Sequence, residues 1–433
     1  MALAREFVTL RLPALESADY RRLFLTGFFT AGARWAMVLA RGWLVFDLTG
    51  WAAWVGAVTF ASMIPFVFAG PVAGAIADRV DRRRLLIAGT ALAIAPSALL
   101  VVLVLTDTVQ VWHVVALALV SGIAQAITVP PTQALVANVV PSAHLLNAIA
   151  LSSIAQHGSR IIGPLFGAAL LASLDTGSVF ALSTVMLTGS LVAVLRLTIR
   201  RASAAGDLSA TRVLRVVGAD LREAIAYVES DRRVATVIVL VSLHCGLTMA
   251  FDSMMPTLAT MVGGASQTYS GILVGIGSGA LIGTFALSMV RAPRVQGRAL
   301  AVAGFGSGIA MAFLAIASTP ALVVLAAVGT GATQASYMAL SATYIQEIVP
   351  DAMRGRVMAF YVCMAAGNMS FLNLGFGWAS EIVGVRPLLL FSALLWLVVF
   401  VIAALGLRDI RHLLRRGSFL APVEATAGAA AGS

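Results

Sequence analysis

Gly70-Pro71-Val72-Ala73-Gly74-Ala75-Ile76-Ala77-Asp78-Arg79-Val80-Asp81-Arg82-Arg83-Arg84 joins two long apolar runs. Gly70 and Gly74 lie one helical turn apart and leave room for a second helix to approach closely. Asp78 follows at the edge of the apolar region, where a carboxylate can face the positive end of a helix or an arginine. The basic cluster then closes the turn. Charge of that kind collects on the side of a membrane where a chain is retained. The segment therefore reads as a tight turn between two membrane-crossing helices.

The rest of the chain agrees. Its 433 residues are 60% hydrophobic and 11% charged, with mean hydropathy +0.96. A soluble domain carries roughly 25% charged residues. Apolar runs long enough to span a bilayer, about 20 residues each, occur near 22–46, 52–76, 85–106, 111–137, 146–172 and 177–198. A polar stretch intervenes, and further runs lie near 233–261, 268–290, 298–317, 320–346, 355–380 and 385–407. Runs of this length predict helices, because barrel strands would be half as long and alternating. The expected fold is all-α, with twelve transmembrane helices.

Net charge is +10, and all of the basic residues are arginine. Their placement argues against a nucleic-acid surface. Of 29 arginines, 25 fall in the tails and in alternate turns on one face, and only Arg386 lies in a turn on the other. By the positive-inside rule both termini are expected in the cytoplasm. Residues 1–20 hold Arg5, Glu6, Arg11, Glu16 and Asp19 without an apolar core, so the first span is expected to direct insertion. Cys245 and Cys363 offer neither a disulfide framework nor metal spacing. No metal, cofactor, nucleotide loop or nucleophile constellation is expected, which speaks against an enzyme.

The chain divides into residues 1–198, a linker at 199–232, residues 233–407 and a tail at 408–433 expected to be disordered. Within the linker, Val213, Leu214, Val217, Leu221 and Ile225 recur at helical spacing among charged residues. That pattern predicts an amphipathic helix on the inner leaflet. The halves also repeat. A shift of 209 places Gly122-x-x-Gln125 on Gly331-x-x-Gln334, Val140-Pro141 on Val349-Pro350, Gly70 and Gly74 on Gly279 and Gly283, and Arg82 on Arg291. Two pseudo-symmetric six-helix bundles with a substrate site between them are the expected architecture.

The Gly70–Arg84 segment resembles the signature loop of the major facilitator superfamily, with Asp81 where many members have glycine. The resemblance implies that Gly70, Gly74, Asp78, Arg79 and Arg82 govern opening and closing. Arg160, Gly163, Pro164 and Gly167 resemble the antiporter motif of that family's drug-exporting branch, which includes macrolide efflux proteins and the enterobactin exporter. Together with Trp43-Leu44-Val45 and Leu48-Thr49-Gly50, these motifs carry a resemblance over nearly the whole chain. It implies a proton-coupled exporter of a small amphipathic solute, monomeric, in the cytoplasmic membrane of a bacterium. One position departs from the branch: Arg34-Trp35 stands where members often have an acid and a tryptophan.

Ionisable residues inside spans default to function because they are costly in lipid. Arg34, Arg41 and Arg160 are such residues, and Asp252 is the one acid well inside a span. With Gln125, Asn368 and Asn373 they are the cavity candidates for substrate and proton. A shift of 211 sets Asp252 opposite Arg41, so these two are expected to approach when the outer side is closed. Arg291, Glu347 and Arg356 are the inner-gate candidates. Three arginines against one acid also fit an organic-anion permease or a lipid or lysophospholipid flippase, and a membrane sensor or scaffold is the reading outside transport.

Overall fold

The computed structural model describes residues 13–77, 81–198 and 210–419. All secondary structure among them is helical. The first group comprises α1 (Ala18–Thr49), α2 (Ala52–Ala77), α3 (Arg82–Leu105), α4 (Val111–Val139), α5 (Leu145–Ser173) and α6 (Thr176–Leu195). Next come α7 (Ala210–Ser230), α8 (Arg232–His244) and the short α9 (Met255–Val262). The second group continues with α10 (Ala265–Ser288), α11 (Pro293–Ile316), α12 (Pro320–Ile348), α13 (Asp351–Val383) and α14 (Val385–Gly406), and the chain closes on α15 (Arg408–Arg416).

Local chemistry fixes the helix ends. Ser17, Asp81, Asp175, Asp231 and Thr319 each accept a hydrogen bond from a first-turn N–H, which satisfies donors that a helix start leaves unpaired. Asp81 is thus the cap of α3. Gly50 ends α1 at φ 70°, a backbone conformation that L side chains avoid.

Ten described helices, with Arg232–Val262 taken as one, are long and apolar enough to cross a membrane, and Ala52–Phe68 is a shorter apolar helix. Large apolar side chains stand bare on their outer faces, among them Ile382 at 86% and Val302 at 69% exposure. A water-soluble surface does not carry so many; lipid covers them.

Packing falls into two groups with matching partners. In the first, α2 packs on α4, α3 on α4 and α6, and α1 on α5 and α6; in the second, α10 packs on α12 and α11 on α12 and α14. Between the groups α2 meets α13 and α5 meets α10. The glycines of the repeat make the intimate contacts. A Cβ on Gly122 would overlap the Ser62 carbonyl of α2, and one on Gly331 would overlap the Ile276 carbonyl of α10.

Two findings depart from the sequence reading. The run at 233–261 is not one helix: α8 stops at His244, a π turn covers Cys245–Met249, a 3-10 turn covers Asp252–Met254, and only then does α9 start. The start of the tail is ordered, with Ile410 and Leu413 of α15 buried against the second group; residues 420–433 lie outside the described residues. The amphipathic helix expected in the linker is present over Ala210–Ser230 and packs on α13 and α2.

Candidate functional site

The break between α8 and α9 shapes the site. Inside a membrane, irregular backbone survives only where protein groups satisfy it. Three amides do so here. Asn368 Nδ2 donates to the Ser242 carbonyl at 2.6 Å, Gln334 Nε2 donates to the Thr248 carbonyl, and Asn373 Oδ1 accepts from the Ser253 N–H at 3.0 Å. Ser253 Oγ adds a bond to the Asn373 carbonyl at 3.0 Å. Asn368 and Asn373, expected as cavity candidates, thus brace the broken helix, and Asp252 sits in the braced turn.

Two cavities meet at Arg34 and Gln125. The one on the side of the chain termini, about 130 Å³, is lined by Thr30, Thr128, Gln133 and Gln156 among others. The other, about 270 Å³, adds Trp35, Arg41, Asp252, Tyr269 and an apolar wall including Val58 and Phe66. Beyond it the far side is sealed. Glu381 of α13 accepts the Ala52 N–H of α2 at 2.6 Å, a Cβ on Gly377 would meet the Ala52 carbonyl at 2.8 Å, and Trp43 stacks on Tyr269 with ring centroids 6.3 Å apart.

Arg41 is 3% exposed. Its Nε donates to the Met37 carbonyl at 3.2 Å, and its Nη1 is buried with no partner. Arg34 Nε and Trp35 Nε1 are likewise buried and unpartnered. Arg160 lies over the Trp35 ring, 4.5 Å from its centroid, and within Coulombic range of both Arg34 and Asp252. The expected Arg41–Asp252 pair does not form in this arrangement: among the described residues no ion pair joins them, although both lie within Coulombic range of Tyr269. An offset of 211 along two straight helices does not survive the break in one of them.

The motif in α5 has a packing role. A Cβ on Gly163 would crowd the Gly32 carbonyl and Trp35 of α1, and one on Gly167 would crowd Leu39. Pro164 sits within the helix. These residues seat α5 on α1 beside the arginines. Gly70 and Gly74 fall in α2, their surroundings undescribed, and Asp78 and Arg79 lie outside the described residues; Arg82 opens α3. Among the gate candidates, Arg291 and Glu347 are exposed and unpaired with each other. Arg356 instead binds the linker helix, 2.8 Å from Asp220 and 2.8 Å from Glu223. All three side chains are more than a third exposed, so the bridges contribute about 0–1 kcal/mol. Arg356→Ala is thus expected to leave the melting temperature nearly unchanged and to speed tryptic cleavage within α7; unchanged proteolysis would remove the clamp.

Sequence reasoning missed Gln334 as a brace and Tyr269 as a cavity wall. Gln334 had a signal, its repeat partner Gln125; Tyr269 had none. His244 is fully buried, with Nε2 3.0 Å from Ser307 Oγ and its ring stacked on Tyr337 at 4.2 Å, a packed polar residue.

Comparison with known proteins adds the following. A family model described as transmembrane secretion effector matches residues 11–418. The uncharacterized MFS-type transporter YfiS of Bacillus subtilis is 28% identical over 117 residues, covering 27% of each chain. Macrolide efflux protein A of Streptococcus pyogenes is 20% identical over 244 residues, 56% of this chain and 59% of that one. The chain therefore spans well under two thirds of these curated relatives. Among solved structures, a variant of the nucleoside transporter NupG aligns with TM-score 0.71 at 16% identity, covering 90% of this chain and 99% of the other. A bacterial homolog of the human lysosomal transporter Spinster, inward-facing and unoccupied, aligns with TM-score 0.66 at 14% identity, covering 94% and 99%. At such identities the likeness shows the fold alone.

Proposed function

The chain belongs to the transmembrane secretion effector family of major facilitator transporters, and we propose that it is a proton-coupled secondary transporter exporting a small amphipathic solute by alternating access. The observation that carries this reading is a cavity sealed on the side far from the termini, lined by charged groups that face apolar walls. Such a chamber suits one half of an alternating cycle. The matched packing of the two helix groups supports twelve spans in two six-helix bundles, residues 1–198 and 233–407. The arginine asymmetry supports cytoplasmic termini, which makes this arrangement inward-facing. The outward direction rests on the family's description and on efflux proteins among the relatives. We take the protein to work as a monomer in a bacterial cytoplasmic membrane, with a proton gradient and no cofactor.

A second reading, an organic-anion permease, is favoured by one observation: the unpartnered guanidinium donors of Arg34 and Arg41.

A periplasm-active reporter fused after Leu407 should be silent and one fused at Thr176 active; the reverse pattern at both sites overturns the topology. For function, everted vesicles from cells expressing the protein should accumulate a cellular metabolite when a proton gradient is imposed, as read by mass spectrometry against vesicles without it. Absence of any gradient-dependent difference overturns transport.

A further inference from the structure

Two arginines line one cavity, and the protein offers some of their buried donors no acceptor. Arg41 is 97% removed from contact with solvent, since its exposure is 3%. One of its terminal nitrogens has no partner. Arg34 has its Nε buried and unpartnered, and among the described residues it accepts no counter-charge. Both line the same cavity. A guanidinium keeps its charge in a protein, and a buried charge without a partner is costly.

The local balance is positive. Arg34, Arg41 and Arg160 surround the cavity region, and Asp252 is the carboxylate on its wall. Asp252 forms no ion pair among the described residues and lies within Coulombic range of Arg160, which covers the Trp35 ring, so one carboxylate stands against three guanidinium groups. That leaves Arg34 and Arg41 uncompensated. The orphaned groups, Arg34 Nε, Trp35 Nε1 and Arg41 Nη1, are all donors. A ligand that satisfies them must accept hydrogen bonds and carry negative charge. The α2 and α13 side of the cavity is mainly apolar, with Val55, Val58, Met63, Phe66 and Met369 beside the polar Thr59 and Ser62, and suits a hydrocarbon body.

We propose that this cavity is an anion subsite in which Arg34 and Arg41 hold the carboxylate, sulfonate or phosphate group of an amphipathic solute whose apolar body lies against the Val55–Phe66 wall. This rests on the transporter reading but not on its direction. It also opposes what a cation-binding acid in α1 would select, because Arg34 occupies that region.

The test uses the full chain in phosphatidylcholine nanodiscs and two probes of one shape and opposite fixed charge, 2-naphthalenesulfonate and 2-naphthyltrimethylammonium. Calorimetry should show sulfonate binding at least about tenfold tighter than the cation, and Arg41→Gln and Arg34→Gln should each weaken sulfonate binding about tenfold or more, the size of a charge-assisted bond. Removing an unpaired buried charge should leave the unliganded melting temperature equal or higher, which separates lost binding from lost folding. Should one variant fail to fold, the other carries the comparison. Adding phosphatidylglycerol to the discs identifies the source: competition assigns the subsite to a lipid phosphate and no competition to a free solute, and either outcome requires both arginines. Equal affinity for the two probes, or wild-type sulfonate binding by both variants, overturns the proposal. Gradient-driven flux in vesicles without sulfonate binding would sink the subsite and leave transport standing; sulfonate binding without flux does the reverse.

Discussion

Gln334→Leu is expected to lower the unfolding free energy by about 1–3 kcal/mol, the cost of a buried carbonyl left without its donor. Gln334 is 3% exposed and donates to the Thr248 carbonyl, which the π turn removes from the regular helical ladder. Leucine has similar bulk and no donor, so packing is nearly conserved and the lost bond is isolated. The control is Gln125→Leu. Gln125 is the counterpart of Gln334 at the repeat offset of 209, yet its side chain makes no hydrogen bond among the described residues and lines the cavities. Its replacement should leave stability nearly unchanged. Thermal unfolding in detergent, followed by thiol labelling of the buried Cys245, reads both. Equal loss of stability in the two variants would mean that the brace at Gln334 contributes nothing special.

That pair also marks how far the sequence could be read. Hydropathy located the spans because burying about 20 apolar residues in lipid outweighs any local preference, and N-caps such as Asp175 and Thr319 start their helices within a few positions of the apolar run. Repetition at a fixed offset identified related positions, and Gly122 and Gly331 do make equivalent close contacts. What hydropathy cannot see is whether a backbone carbonyl has a partner. Residues 245–254 are mostly apolar, with Thr248, Asp252 and Ser253 the polar ones, so the run looked continuous. Once the helix bends, the offset of 211 no longer sets Arg41 against Asp252, and Asn368 and Asn373 turn toward freed backbone groups rather than the cavity. Arg34, Arg41 and Asp252 were legible as cavity residues through the cost of charge in lipid. Their partners were not, because pairing depends on rotations between helices that no spacing rule supplies.

Asp252→Asn is expected to cut flux driven by a pH gradient by about two orders of magnitude, the scale for removing a required proton carrier, while solute exchange without a gradient persists. The reason is that Asp252 is the carboxylate on the cavity wall, in a turn that is already unwound and braced. Retained gradient-driven flux in the asparagine variant would exclude it as the proton site. The charge balance then sets the sign of coupling. Protonating Asp252 removes negative charge from a cavity walled by arginines, so proton and anion favour one another's binding, by reciprocity to the same degree. For a unit charge at roughly 10 Å in an effective dielectric of about 20 the factor is about tenfold. Sulfonate affinity should accordingly rise as pH falls in the wild-type protein, whereas Asp252→Asn should bind at the tighter level at every pH. Such a rise means that proton and anion bind together, which favours the second reading, an organic-anion permease, over export by exchange for any solute whose charge faces Arg34 and Arg41. An affinity that instead drops as pH drops means that proton and solute displace one another, as proton-coupled export requires.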